Sequence, residues 1–122
     1  MNNSIEKKIQ NKRQIGSVYE QKAVEFLKEQ GQIILEVNYR NILGEIDIIT
    51  RDKECLCFIE VKYRMNNHFG SPFEAVDIHK QKQIKKVAKY YLMQHGFNEW
   101  IPCRFDVIGF EGENLTYLQN AF

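Results

Sequence analysis

Two β-rich runs, residues 44–50 (GEIDIIT) and 55–63 (CLCFIEVKY), stand on either side of the charged link RDKE, and this arrangement constrains the fold more than any other feature of the chain. Branched and aromatic residues favour pleated strands, and a short polar link between two such runs predicts an antiparallel hairpin. Side chains alternate between the faces of a strand. Cys57, Ile59, Val61 and Tyr63 therefore share the expected core face, and Phe58, Glu60, Lys62 and Arg64 share the other. A turn centred on Asp52-Lys53 sets Asp47 opposite Phe58, on the same face as Glu60 and diagonal to it at about 7–8 Å. Glu45 would then face Glu60 directly. Three acids and one lysine converge where a plain hairpin would carry Val, Thr or Ile.

The flanking sequence completes an α/β pattern. Tyr19, Ala23, Phe26 and Leu27 recur at helical spacing from about residue 16 to 30, and Gly31 ends that helix. Residues 32–37 (QIILEV) form a short strand, which NYRNILG connects to the hairpin. Ser71-Pro72-Phe73-Glu74 has a capping serine, a proline at the first helical position and a capping-box glutamate, so a second helix starts there, with a break near Asp77. Its later part aligns Ile84, Val87, Ala88, Tyr91 and Leu92 and stops by Gly96. Two more strands, about 103–110 and 115–119, flank the turn-prone EGEN. The expectation is an α/β fold with a mixed central sheet flanked by helices. It forms one domain over residues 14–122, behind a loose basic arm at residues 1–13.

At 122 residues the chain can bury a core without disulfides or structural metal. Cys55, Cys57 and Cys103 are an odd number without paired ligand spacing, and read as reduced core or strand residues. No apolar run approaches the roughly 18–20 residues of a membrane span. The polar N-terminus lacks the apolar segment of a secretory signal, which leaves the cytoplasm as the expected location. Seventeen basic and sixteen acidic residues give a net charge of +1, too little for a global pull on nucleic acid. Their distribution is more informative. Lys80, Lys82, Lys85, Lys86 and Lys89 fall in a stretch without Asp or Glu, and Lys7, Lys8, Lys12 and Arg13 cluster near the start. Such a face contacts phosphate or is simply solvated. Lys82, Lys86 and Lys89 form its outward stripe, whereas Lys80 turns towards the apolar side of the helix, with Gln81 beside it. Asn38 and Arg40, before the hairpin, either hold a phosphate or tie the loop to the sheet. Asp106 interrupts a strand as a structural residue, paired with Arg104 or a helix lysine.

Carboxylates held this close raise one another's pKa or take up a cation, and one lysine cannot balance three acids. Carboxylates on a rigid sheet suit Mg²⁺ or Mn²⁺, which keep several waters and share their site with substrate phosphate. A neighbouring lysine can steady charge developing on that phosphate. The chemistry pointed to is metal-assisted phosphodiester hydrolysis. The plainer reading is a set of salt bridges on the solvated face of an antiparallel hairpin.

Asp47, twelve intervening residues and then Glu60-Val61-Lys62 resemble the PD-(D/E)XK nuclease signature. That resemblance implies that Asp47, Glu60 and the main-chain carbonyl of Val61 hold the metal while Lys62 assists catalysis. A longer series resembles the YraN family in order and spacing from about residue 15 onward. It comprises Gly16…Glu20…Ala23, NYR at 38–40, GEIDII at 44–49, FIEVKYR at 58–64, FGSPFEAV at 69–76, Lys80-Gln81, RFDV at 104–107 and Asn120-Ala121-Phe122. This implies a restriction-endonuclease-like fold, similar to archaeal Holliday junction resolvases, in which Glu20 from the first helix completes the metal shell. Arg40, Arg64, Lys80, Gln81, Lys82, Lys86 and Lys89 are the expected nucleic-acid contacts. Ile46 replaces the proline of the motif's name, and Tyr19 stands where the family has glycine beside the helical glutamate.

The function expected is that of a Mg²⁺-dependent DNA endonuclease selective for branched or junction DNA. Cutting paired strands needs two centres, so a homodimer fits, as do DNA-processing protein partners. The alternatives are a nucleic-acid-binding module of a repair, recombination or uptake complex on the same fold, and a structural interaction domain.

Overall fold

The computed structural model describes the backbone of residues 4–64 and 76–122, with side chains from residue 17 onward. In chain order it holds α1 (Ser4–Glu29), β1 (Ile33–Asn41), β2 (Gly44–Asp52), β3 (Cys55–Arg64), α2 (Ile78–Gln94), β4 (Cys103–Glu111) and β5 (Asn114–Leu118). The strands form one sheet in the order β1-β2-β3-β4-β5, antiparallel except where β3 pairs with β4 in parallel. A parallel pair needs a crossover, and α2 supplies it. The mixed sheet flanked by two helices is the α/β architecture expected. α1 begins at Ser4, inside the stretch that composition marks as a basic arm. The helix start expected at Ser71-Pro72 lies outside the described residues. The described part of α2 is capped instead at Asp77, whose side chain accepts from Lys80 N–H at 2.9 Å.

Three local readings are corrected. β1 continues through NYRN as strand rather than loop, because Asn41 pairs with Gly44 across the two-residue turn Ile42-Leu43. Asn41 Oδ1 accepts from Leu43 N–H at 2.8 Å and closes that turn. The β2–β3 register lies two residues from the expected one. Asp52 pairs with Cys55 and Ile48 with Ile59, so the turn is Lys53-Glu54. An even slip keeps every side chain on its assigned face.

The third correction concerns burial. Phe58, placed on the polar face of β3, is fully buried. The helix that carries the chain from β3 to β4 covers that face, so the central strands are buried on both sides. Tyr19, Ala23, Val24 and Leu27 of α1 pack on Ile48, Cys57, Ile59, Ile108 and Phe110. On the opposite face Ile84, Val87, Ala88 and Tyr91 of α2 pack on Ile46, Ile49, Leu56 and Phe58. Both helices end in a Schellman arrangement: Gln32 N–H donates to Leu27 O and Phe97 N–H to Leu92 O, each at 3.0 Å, over the left-handed Gly31 and Gly96. The three cysteines are free, and no described helix is long and apolar enough to cross a membrane.

Candidate functional site

The site forms where the β2–β3 ladder gives out. Beyond the last regular pair, Ile48 with Ile59, the next two residues are Asp47 and Glu60, so the two carboxylates meet across the strands rather than diagonally. Asp47 Oδ2 accepts a hydrogen bond from Val61 N–H at 2.8 Å, which ties its side chain to β3. A break in alternation makes this possible. Ile46 packs under α2 and Ile48 under α1, although a regular strand would put both on one face. The chain changes face at Asp47, opposite Asn38, between the pairs Val37 with Ile48 and Tyr39 with Ile46. Asn38 has φ 54°, a left-handed conformation that asparagine tolerates better than most residues.

Glu60 is 6% exposed, and two lysines reach the same oxygen. Lys62 Nζ lies 3.6 Å and Lys80 Nζ 3.7 Å from Oε1. Burial, and next the charge of Asp47, push the Glu60 carboxyl up to about 7, against the pull of Lys80 and Lys62. The Asp47 carboxyl is also raised, chiefly by burial, despite its bond to Val61 and the nearby Lys80. Glu20 joins from α1. It shares a hydrogen bond with Asn38, and its carboxyl is raised by burial and by the charges of Asp47 and Glu45. Tyr19, the departure beside it, is buried and stacks on Tyr63 with centroids 4.7 Å apart. The ring thus fills the space between α1 and β3 while Glu20 still reaches the site.

The charge balance differs from the expectation of three acids facing one lysine. Glu45 does not oppose Glu60. The two-residue register difference moves it beside Arg40 of β1, whose Nε sits 2.9 Å from Glu45 Oε2. Lys80 joins Lys62 on Glu60, so two further cations take part. Gln81 ties the helix entry, donating from Nε2 to Val76 O at 3.1 Å. Lys82, Lys86 and Lys89 form an exposed stripe on α2. Arg64 ends β3 in register with Glu111.

Sequence reasoning missed Asn41, Gly44 and Gln83. With Arg40, Glu45 and Lys80 they line an open cleft of about 410 Å³ between the β1–β2 turn and the first half of α2. Gln83 carried a signal, three residues after Lys80 and so on the same side of the helix, and Gly44 opens the GEIDII motif.

Among the described residues, no three His, Cys, Asp or Glu side chains stand together as a ready metal cage. The carboxylates that do face each other are Asp47, whose Oδ2 accepts from the Val61 N–H, and Glu60, with Glu20 near enough to feel the Asp47 charge. Oxygen donors without a His or Cys partner fit a hard ion that retains several waters, Mg²⁺ or Mn²⁺, rather than zinc.

The chain has relatives among known proteins. A family model described as "Uncharacterised protein family UPF0102" matches residues 19–110. A UPF0102 protein of Lachnoclostridium phytofermentans is 47% identical over 112 residues, covering 92% of this chain and 95% of its own length. One from Acetivibrio thermocellus is 42% identical, with all of both chains covered. A third, from Fusobacterium nucleatum, is 44% identical over 90% of this chain and 92% of its own.

Proposed function

The chain belongs to the UPF0102 family, the YraN family that its motifs resemble, and we propose that it is a metal-dependent endonuclease acting on DNA, selective for branched or junction forms. One observation carries the reading: two largely buried carboxylates, Asp47 and Glu60, face each other at the end of a hairpin, with Lys62 on the same side and the Glu60 carboxyl pushed up to about 7. Paired carboxylates raised by burial and by each other's charge mark functional sites, and a divalent cation would favour the charged form of both.

Asp47, Glu60 and the Val61 main-chain oxygen would hold Mg²⁺ or Mn²⁺, with Glu20 completing the shell. The ion would supply Lewis acidity at the phosphodiester. Lys62, whose Nζ lies 3.6 Å from Glu60 Oε1, would steady the attacking water or the negative charge building on the phosphate. The exposed Lys82, Lys86 and Lys89 give non-specific backbone contact.

That stripe also favours a second reading, a nucleic-acid-binding module on the same scaffold with little hydrolysis. Incubation of the purified chain with branched, duplex and single-stranded DNA, with and without Mn²⁺, separates the two. Metal-dependent cutting that Asp47→Ala and Lys62→Ala abolish supports the nuclease. Salt-sensitive binding without cutting under any metal leaves the module.

A further inference from the structure

We infer that Lys80 is an exchangeable counter-ion: it neutralises the Glu60–Asp47 pair until a divalent cation arrives, then turns into the adjacent cleft to bind a backbone phosphate of the nucleic-acid strand. The inference rests on the nuclease reading and deepens it, because it assigns the cleft to a phosphodiester and links its filling to metal uptake.

Lys80 belongs to two places at once. Its Nζ is 3.7 Å from Glu60 Oε1, and the same side chain lines the 410 Å³ cleft. Its backbone is fixed, since Lys80 N–H donates to the Asp77 cap. Only the flexible four-carbon stem has to swing. Lys80 sits in the first turn of α2, at the positive end of the helix dipole, where the neighbouring acid, Asp77, is engaged by its side chain in capping the Lys80 N–H rather than in pairing with Nζ. Glu60 is what holds it, at a separation longer than a hydrogen bond. A divalent ion on Glu60 removes that hold. A phosphate in the cleft then offers Lys80 a partner which the helix dipole also favours.

The other cation of the cleft is held in the same manner. Arg40, 77% exposed, is paired with the exposed Glu45 at 2.9 Å, so among the described residues each cation lining the cleft already has an acid of the same chain. The cleft keeps its shape while charges exchange. Gly44, at φ +146°, lets the β1–β2 turn close on α2, where an added Cβ would lie 2.8 Å from Gln83 Nε2 and 3.2 Å from Val87 Cγ2. Gln83 Nε2 and Asn41 Nδ2 brace the two walls, donating to Leu43 O at 3.4 Å and to Val87 O at 3.3 Å.

Competition between Lys80 and the metal predicts effects of opposite sign. Calorimetric titration of the full chain with Mn²⁺ alone should show Lys80→Gln binding the ion about fivefold or more tightly than the wild type. Lys80→Arg, which keeps the charge, should stay near the wild type. In Ca²⁺, a fluorescent branched oligonucleotide should bind Lys80→Gln several-fold more weakly. Mn²⁺ affinity that is unchanged or weaker in Lys80→Gln overturns the exchange and leaves the nuclease reading standing. Absence of Mn²⁺ uptake by both proteins overturns both.

Discussion

The sheet carries two buried charge clusters, and they are built differently. On the β2–β4–β5 side, Arg104 donates to Asp52 at 2.9 Å and to both Asp106 oxygens at 3.0–3.1 Å. Asp106, fully buried, also accepts from Tyr117 O–H and from Asn120 N–H. Gln32 and Thr50 extend the network to the end of α1. Burial works against the Arg104 charge, but its bonds to Tyr117, Asp52 and Asp106 outweigh that and hold its proton more firmly than usual. At the Asp47–Glu60 end the ion pairs are long, both lysines crowd onto one oxygen, and burial leaves the acids reluctant to ionise. A planar guanidinium with directed bonds locks a fold, whereas loosely placed ammonium groups leave charge that a ligand can claim.

Substitutions break this contrast most sharply at Asp106. Asp106→Ala should cost about 3–5 kcal/mol in urea unfolding, because Arg104 Nε, Tyr117 O–H and Asn120 N–H lose their shared buried acceptor and Arg104 keeps only Asp52 as an acid partner. Lys62→Ala should instead lower metal-dependent cleavage on the order of 10²–10³-fold, with thermal unfolding almost unmoved. If Lys62→Ala destabilised the chain as much as Asp106→Ala does, the two clusters would be of one kind.

A smaller effect concerns pH. Folded Glu60 keeps its proton to about 7, while the unfolded carboxyl releases it near 4.5, so the folded state binds more protons in between. Stability without metal should therefore fall as pH rises across that window, and Glu60→Gln should flatten the profile and gain on the order of 1–3 kcal/mol at pH 8. Melting curves in EDTA from pH 4.5 to 8 check the sign. The smallest effect belongs to Lys82, Lys86 and Lys89. Their joint replacement by Ala should change stability by less than about 0.5 kcal/mol, while reducing the salt slope of duplex binding by roughly one for each phosphate these side chains neutralise.

What was legible in the sequence follows from what short-range patterns encode. The apolar spacing in α1 and α2 located the faces that cover the sheet, and the D…ExK spacing brought Asp47, Glu60 and Lys62 to one side. The face assignment survived a wrong register only because the slip was even. The change of face at Asp47 left no periodic trace, since it depends on Asn38 in another strand adopting φ 54°. Arg104 was one of two partners expected for Asp106, beside a helix lysine, and it is the one found, but Asp52, Tyr117 and Gln32 were not foreseen. They join that network through strand pairing that no local pattern specifies. Burial of Phe58 was misread for a similar reason, because a hairpin alone does not show that a crossover helix will cover its second face.

The parts of the site also differ in how far apart they lie along the chain. Asp47 and Glu60 come from adjacent strands and can approach as soon as the hairpin closes, a short-range event. Lys80 arrives only with the crossover helix, which follows the hairpin in the chain and seats on Ile46, Ile49, Leu56 and Phe58. In a nascent chain the two acids are therefore still hydrated, and behave as ordinary carboxylates. Their reluctance to ionise is acquired last, as the chain seals over them.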